Sequence, residues 1–469
     1  MSHAQTILGP ILNPRVDGTV EFTPDGGLSC NDAGTIEYAG PAAALPPSLA
    51  SSRPKRQSDG FILPPFLDAH IHIPQHPIRG HFMDGIARDP PEGRLLAGLN
   101  RNVFPEEARC ESLEVVERVV RDFARDTLAQ GVVGGAAYMT VHEAATEVAL
   151  SQLHAFWSVG LVLMEMNCPQ YLRTDPAQAE AQMRRLAERF GRRFMVTDRF
   201  AVTVGSDLRR RAARLAWDLD LMTQTHLNEQ LREKQLVEQT LYPRYDSYAD
   251  VYRQDGLLDG PSVLAHCVHM TPPEYEILAR RNAFVAHCPT SNALLCSGIM
   301  PLDEILAHEI EYAICTDVGA SPTTSILAEM AQFLKIHAGR SPHATPSEAL
   351  YRSTLAPALK LGVQIGSLAV GRPLSFIEVE PFTTSATSAE DAILRGVLGL
   401  SAGDLNSPAL KRALDRLQAV RLDCGPDLDV LQRDVRDTAN RLENRVVRVT
   451  LAGEVVYNRP TPPAGPSPP

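Results

Sequence analysis

Short apolar runs alternate with amphipathic stretches along the chain from residue 61 onward. Continuous apolar runs are typical of parallel strands that are covered on both faces, and the amphipathic stretches between them are typical of the covering helices. One such helix is predicted over residues 111–130, with Gly131 as its C-terminal stop. The predicted strands are residues 66–71, 132–139, 159–166, 194–202, 221–227, 263–267, 284–288 and 312–317. Eight strands with helices between them predict an α/β fold, a (β/α)8 barrel of the TIM type.

Both ends of the chain have a different, β-rich pattern. Residues 1–60 carry short β-type pieces between turn residues, and β character returns at 375–379 and 447–457, where an Ala-Gly turn indicates a hairpin. We therefore predict a barrel of residues 61–369 and a small composite β-sandwich domain. That domain combines residues 1–60 with 370–380 and 444–459. Residues 381–443 are predicted to form a helical insertion at the surface, and the Pro-rich tail, 460–469, to be disordered.

Composition excludes several classes of protein. The 469 residues are 44% hydrophobic and carry a net charge of −11, which argues against a nucleic-acid polymer as partner because phosphate binding needs clustered basic residues. No signal-peptide pattern and no apolar run of membrane-spanning length is present, so we expect a cytoplasmic protein without membrane contact. The scattered cysteines form no C-x-x-C pair, and reduced thiols are expected at residues 30, 110, 168, 267, 288, 296, 315 and 424.

Histidines and one aspartate fall at the ends of the predicted strands. His70 and His72 end the first strand, where alternate residues point to the same face. His226 ends the fifth strand, His266 the sixth and Asp317 the eighth. The carboxyl ends of barrel strands meet at one mouth, so these five side chains are predicted to bind a metal together. Their nitrogens and carboxylate suit Zn²⁺, or Fe²⁺ as the alternative. No lysine ends the fourth strand to bridge a second ion, so one metal per chain is predicted.

Two further residues fit hydrolytic chemistry. Glu229 lies three residues after His226, and from this position its side chain can lie above the metal and transfer protons. The alternative for Glu229 is an ordinary solvent-exposed glutamate. His287 ends the seventh strand, where it either donates a hydrogen bond to the metal-bound water or has a purely structural role.

Together these motifs resemble the amidohydrolase superfamily over residues 61–380. The resemblance rests on Asp68 and the histidine pair that follows it, the fifth-strand histidine, Ala265-His266, the segment 286–292 and Thr316-Asp317. Narrower features resemble the guanine deaminases within that superfamily. They are Gln75 after the histidine pair, Asp198-Arg-Phe200 after the fourth strand, the segment 225–229, the tyrosine-rich segment 241–252 and the Ser291-Asn292 pair.

The resemblance implies a metal-dependent deaminase of guanine, a small-molecule substrate, and a homodimer. It implies that zinc is held by His70, His72, His226 and Asp317, with His266 beside it. It further implies that Gln75, Arg199 and Phe200 recognise the purine and that His226 also contacts the substrate. In the implied reaction, guanine and water give xanthine and ammonia. Asp317 takes a proton from water, Glu229 protonates the ring nitrogen N3, and His266 and His287 steady the tetrahedral intermediate.

Other interpretations remain open from the sequence. The same chemistry could act on another aminopurine, a pterin or a triazine, and a catalytically silent barrel could serve as a scaffold. The chain also departs from the family pattern around the predicted site and in the small domain. The departures are Pro65 before the first strand, Cys267, the segment 319–321, Ser375 and the insertion at 381–443.

Overall fold

The computed structural model describes residues 3–419 and 427–460, which form a parallel barrel and a separate mixed sheet. The barrel strands are β6 (Phe66–His72), β7 (Val132–Tyr138), β8 (Trp157–Leu163), β9 (Phe194–Asp198), β10 (Thr223–Leu227), β11 (Ser262–His266), β12 (Phe284–His287) and β13 (Glu311–Ile314). The mixed sheet contains β1 (Gln5–Pro14), β2 (Val20–Cys30), β3 (Ile36–Pro41), β4 (Lys55–Gln57), β5 (Phe61–Leu63), β14 (Phe376–Val379), β15 (Val446–Leu451) and β16 (Glu454–Asn458).

Helices lie between the strands and after the barrel. The first ten are α1 (Pro47–Ser52), α2 (Arg94–Gly98), α3 (Phe104–Ala108), α4 (Leu113–Ala129), α5 (Glu143–Gln152), α6 (Pro176–Phe190), α7 (Ser206–Asp218), α8 (Leu231–Gln235), α9 (Tyr248–Gln254) and α10 (Pro272–Arg280). The others are α11 (Pro289–Leu294), α12 (Leu302–Ala307), α13 (Ile326–His337), α14 (Pro346–Ser353), α15 (Leu355–Leu361), α16 (Ala389–Asp391), α17 (Ala402–Leu405), α18 (Pro408–Gln418) and α19 (Asp427–Leu442).

The predicted eight-stranded barrel is confirmed. Each strand from β6 to β13 pairs in parallel with the next one along the chain. The first and last strands meet just beyond β13, where the Asp317 amide donates to the His70 carbonyl (3.0 Å) and the His72 amide donates to Val318 (2.9 Å). These two bonds place the predicted ligands of the first and eighth strands side by side.

Small residues fill much of the barrel interior, while larger apolar side chains pack between the strands and the helices. The inner cluster consists of Ala69, Ala136, Met195, Val263, Ala265, Phe284, Ala286, Cys288, Ala313 and Cys315. Helix α4 ends as predicted, because Gly131 follows it with φ +74°, a conformation that glycine adopts without a steric penalty.

The two ends of the chain share one sheet, so the predicted composite domain is present. Hydrogen bonds order its strands β16-β15-β14-β5-β1-β2-β3, with β4 paired to β1. The predicted hairpin joins β15 to β16 through Ala452 and Gly453, both at positive φ. A partly buried ion pair also links the two ends, because the Glu378 carboxylate accepts hydrogen bonds from Arg56 at 2.6 and 2.8 Å.

Helices α18 and α19 pack with one face against the barrel and leave the other exposed. Their apolar residues, among them Leu414 and Leu431, form a cluster with Ala293 and Ile336 of the barrel. The Lys335 ammonium on α13 donates to Asp434 (2.9 Å) and fixes α19 to the same surface. The insertion therefore packs on α11, which follows β12, and on α13, which follows β13.

Two expectations are corrected by the structure. The fourth barrel strand ends at Asp198 and not at residue 202, because the Ala201 amide donates to the Tyr252 hydroxyl (3.0 Å) instead of to a strand. Cys296 is disulfide-bonded, so the expectation of reduced thiols is wrong for that residue. Cys424 and residues 461–469 of the predicted tail lie outside the described residues. Free cysteines are found at residues 30, 110, 168, 267, 288 and 315.

Within residues 3–419 and 427–460, no helix is both long enough and apolar enough to cross a bilayer.

Candidate active site

Four of the predicted metal ligands converge at the carboxyl ends of the barrel strands. His70, His72, His226 and Asp317 each direct one ligand atom into a group whose atoms all lie within 4.8 Å of one another. The Nε2 atoms of His70 and His72 both lie 3.2 Å from Asp317 Oδ1. Neither ring nitrogen of His70 makes an aligned hydrogen bond, although both are buried. Buried polar atoms without partners are costly, so this donor set fits a bound metal ion.

The protonation states of this group also suit a metal. Burial lowers the pKa of His70 to about 4 and lowers the pKa values of His72 and His226. The three imidazoles are therefore neutral and keep a lone pair for coordination. Burial acts to raise the pKa of Asp317, but the close contacts of its carboxylate with His70 and His72 hold that pKa well below its usual value. The group thus offers three neutral nitrogens and one carboxylate, a set typical of zinc and iron sites.

His226 is oriented by the backbone of the neighbouring strand end. Its Nδ1 lies 2.6 Å from the Arg199 carbonyl oxygen, an acceptor that fixes the proton on Nδ1 and leaves Nε2 free for a metal. The Tyr252 hydroxyl donates to the His226 carbonyl (2.8 Å) and holds the strand end in place.

His266 lies beside the four-residue group without belonging to it. Its Nδ1 is 2.9 Å from the Asn292 Oδ1, and its buried Nε2 has no hydrogen-bond partner among the described residues. That Nε2 lies 3.6 Å from Glu229 and 4.0 Å from Asp317. His266 therefore faces the space between the predicted proton shuttle and the predicted base.

Glu229 is buried, which excludes an ordinary solvent-exposed glutamate. Its Oε1 accepts a hydrogen bond from the Ser297 hydroxyl at 3.2 Å. Burial, together with the negative charge of Asp317, raises the pKa of Glu229 to about 8. A carboxyl group that keeps its proton near neutral pH can act as a general acid.

His287 is not brought to this group. It lies on the side of β12 that packs against α13, where its Nε2 is 3.1 Å from the Nε2 of His337 and its ring contacts Phe333. These contacts support the structural alternative for His287. His287 ends β12 as predicted, but its side chain faces the helical layer.

The three residues predicted to recognise substrate lie together next to the metal group. The Gln75 Nε2 donates to Glu107 (3.0 Å), and the Arg199 guanidinium donates to both oxygens of the same carboxylate (2.8 and 3.0 Å). The Phe200 ring lies 6.2 Å from the His226 ring, centroid to centroid. All of these side chains are buried.

Several residues of the site were not assigned from the sequence. Ser291 donates to Asp317 Oδ2 (2.6 Å), and Asn292 and Ser297 contact His266 and Glu229. The position of Ser291 and Asn292 just after a strand end was a usable signal. Glu107 lies in the long connection between β6 and α4, where no periodicity or motif marks it.

Comparison with known proteins agrees with this geometry. Residues 61–399 match the model of the amidohydrolase family. The chain belongs to the amidohydrolase family. A guanine deaminase of Escherichia coli is 32% identical over 69% of this chain and 74% of its own, and a probable guanine deaminase of Deinococcus radiodurans is 30% identical over 86% and 95%. The solved structure of an E. coli guanine deaminase has a TM-score of 0.76, with 26% identity over 97% of this chain and 99% of that one.

The tyrosine-rich segment has a structural role in this amidohydrolase barrel. Tyr248 and Tyr252 lie one turn apart on α9, so both point to the same side. The Tyr252 hydroxyl contacts the Ala201 amide and the His226 carbonyl (3.0 and 2.8 Å). The Tyr248 hydroxyl donates to Glu233 (2.8 Å), whose other oxygen accepts from the amide of Glu229 (3.0 Å). The two phenols therefore join the end of β10, the segment 199–201 after β9 and the predicted acid Glu229.

Proposed function

We propose that the protein is a zinc-dependent guanine deaminase that converts guanine and water into xanthine and ammonia. One observation carries this proposal: three parts of one site adjoin one another. They are the metal-ligand group, the buried protonated carboxyl of Glu229, and a donor-rich recognition corner formed by Gln75, Arg199 and Phe200. Arg199 joins two of these parts, because its carbonyl orients the ligand His226 while its side chain belongs to the recognition corner. The names of the similar bacterial enzymes support the same substrate.

The residues of the site divide the proton transfers between them. When bound by His70, His72, His226 and Asp317, Zn²⁺ supplies a Lewis acid that makes water acidic enough to react near neutral pH. Asp317 accepts a proton from the attacking water, and the Ser291 hydroxyl holds the second oxygen of that carboxylate.

Glu229 donates its proton to N3 of guanine, which makes C2 electrophilic, and the water oxygen forms a bond to C2. The proton held by Asp317 then moves to the amino group. The C2–N bond breaks and ammonia leaves. The hydroxyl proton of the added oxygen passes to the ionised Glu229, which restores the acid and leaves that oxygen as the new carbonyl of xanthine. The Nε2 of His266 lies between Glu229 and Asp317, where it can hydrogen-bond the oxygen added at C2.

The recognition corner suits a flat, uncharged purine. Arg199 and Gln75 present N–H donors that match the carbonyl and ring nitrogens of guanine. Phe200 offers an aromatic face to cover the ring. The amide of Gln75 is oriented on both sides, because its Oε1 accepts from the Gly319 amide (3.3 Å) while its Nε2 donates to Glu107.

The test of this proposal is a substrate panel on zinc-loaded protein. We expect guanine to give stoichiometric xanthine and ammonium, with much weaker turnover of other aminopurines, pterins and triazines. Ammonium release from one of those compounds but not from guanine would replace the substrate assignment by that alternative. Absence of turnover with every compound, in protein that has bound zinc, would favour the silent scaffold.

We further propose one Zn²⁺ per chain and a cytoplasmic homodimer. The single ion is supported by the one group of ligands found in the described residues and by the lack of a lysine at the end of β9. The dimer rests on the family resemblance. Elemental analysis gives the metal identity and its ratio to protein, and light scattering of the purified chain gives the mass in solution.

A further inference from the structure

Glu107 is a buried carboxylate whose hydrogen bonds go to two residues of the recognition corner. It lies in α3, within the connection that leads from β6 to α4, and its side chain is fully buried. Arg199 donates to both of its oxygens, at 2.8 and 3.0 Å, and Gln75 donates to one at 3.0 Å. Glu107 therefore fixes both side chains through a single group.

The charge of this arrangement decides which ligands it favours. A buried guanidinium without a counter-ion would attract anions strongly, because charges interact over longer distances in a poorly hydrated interior. Glu107 cancels the charge of Arg199 and leaves its geometry as a hydrogen-bond donor intact. The Arg199 side chain also contacts the Phe104 ring, with 5.3 Å between Cζ and the ring centroid, so it is held on a second side.

We propose that Glu107 selects the charge state of the bound purine and favours a neutral lactam carbonyl over an anion. This inference rests on the proposed deamination of guanine and extends it from substrate to product. Xanthine carries an imide that guanine lacks, and it loses a proton close to neutral pH. A recognition corner without net charge binds neutral guanine and has no electrostatic attraction for the anionic form of the product. Glu107 thus acts as a specificity residue that works through Arg199 and Gln75.

The experiment measures by calorimetry the binding of two free purine bases, hypoxanthine and xanthine, to zinc-loaded protein. Hypoxanthine stays mostly neutral at a pH where xanthine is already ionised, so the ratio of their dissociation constants reports the preference for charge. Titrations are made below and above the acid dissociation of xanthine. They use the wild type, Glu107→Gln and the neighbouring Glu106→Gln, whose carboxylate pairs instead with the half-exposed Arg109 at 2.9 Å.

At a pH where xanthine is ionised, Glu107→Gln should shift the ratio of the two dissociation constants by about tenfold relative to the wild type, in favour of xanthine binding. At a lower pH, where xanthine is neutral, the ratio should be unchanged. Loss of the charged hydrogen bonds should also raise the KM for guanine by about tenfold. Glu106→Gln should behave as the wild type in every measurement. Zinc content, measured on each sample, verifies that the metal group is intact.

A second variant, Arg199→Gln, keeps the proposal testable if Glu107→Gln does not fold. Arg199→Gln leaves the charge of Glu107 without its partner, so the ratio should move away from xanthine above its dissociation. Equal ratios in the wild type and in both variants would overturn the charge-selection proposal. A wild type that binds neither ligand would count instead against the proposed function, so the two failures are distinguishable.

Discussion

Burial sets the protonation of the individual side chains at this site, and it acts in opposite directions on bases and acids. Desolvation disfavours whichever form is charged. It therefore lowers the pKa of His70 to about 4, which keeps this imidazole neutral, and raises the pKa of Glu229 to about 8, which keeps this carboxyl protonated near neutral pH. The same enclosed environment produces both protonation states.

Replacement of Glu229 by Gln should reduce kcat for guanine by about 10²–10⁴-fold, because the general acid is lost while the shape is kept. The zinc content should remain that of the wild type, since Glu229 is not in the four-residue group. Steady-state kinetics and elemental analysis on the same preparation measure both quantities. The exposed Glu117→Gln on α4 is the control. Activity retained in Glu229→Gln would remove this residue from the role of acid.

At the scale of the element, α9 joins parts of the site that come from different strands. Tyr252 holds the Ala201 amide and the His226 carbonyl, and its hydroxyl is also within 3.0 Å of the Thr225 hydroxyl. Polar backbone groups that leave a strand need such partners when they are buried. Helix α9 faces the barrel with two phenols that provide such partners, and Tyr252 joins the segment 199–201 to the end of β10 at His226.

The variant Tyr252→Phe removes the Tyr252 hydroxyl and should lower the free energy of unfolding by about 1–3 kcal/mol, because the buried Ala201 amide and His226 carbonyl lose their partner. It should also weaken zinc affinity by about 10- to 100-fold, as expected when a group supporting a ligand is lost. Urea unfolding and chelator competition measure the two effects.

Tyr245→Phe is the matched control for this variant. Its hydroxyl contacts Ser206 and Asp255 and does not touch the metal-ligand strand. This variant should change stability without changing zinc affinity. Equal zinc affinity in Tyr252→Phe and Tyr245→Phe would contradict a positioning role for α9.

The whole molecule is closed by contacts between its two ends. Glu378, close to the end of the barrel segment, accepts hydrogen bonds from Arg56 and Ser58 of the N-terminal part and from Arg448 of the C-terminal part. Burial alone would raise the pKa of Glu378, but the hydrogen bonds from Arg56 and Ser58 outweigh it and lower that pKa. The ionised carboxylate is therefore favoured by the folded state.

A carboxyl group whose pKa is lower in the folded than in the unfolded chain stabilises the folded state at pH values above its unfolded pKa. That stabilisation is lost as the pH falls through the pKa of the folded state. Glu378→Gln should therefore lower the free energy of unfolding by about 1–3 kcal/mol at neutral pH. The difference from the wild type should shrink below about pH 4.5, where the unfolded carboxyl becomes protonated. Urea unfolding at neutral and acidic pH measures it. A difference that stays constant with pH would show that ionisation of Glu378 is not its cause.

The sequence by itself determined the barrel and the four side chains that converge at its mouth. Apolar runs mark strands locally, and the carboxyl ends of parallel barrel strands lie together at one mouth, so residues that end those strands are candidates for one shared site. His70, His72, His226 and Asp317 could therefore be found without coordinates. The resemblance to guanine deaminases likewise rested on short motifs at those same strand ends.

Only the tertiary structure decided how the other side chains are used. His287 ends a strand as predicted, but the direction of its side chain depends on the register of β12 and sends it toward His337. Glu107 meets Gln75 and Arg199 because a long connection folds back across the mouth, and no local pattern encodes that path. Hydrogen bonds between residues far apart in the chain depend on where each segment comes to rest, so they are properties of the folded molecule.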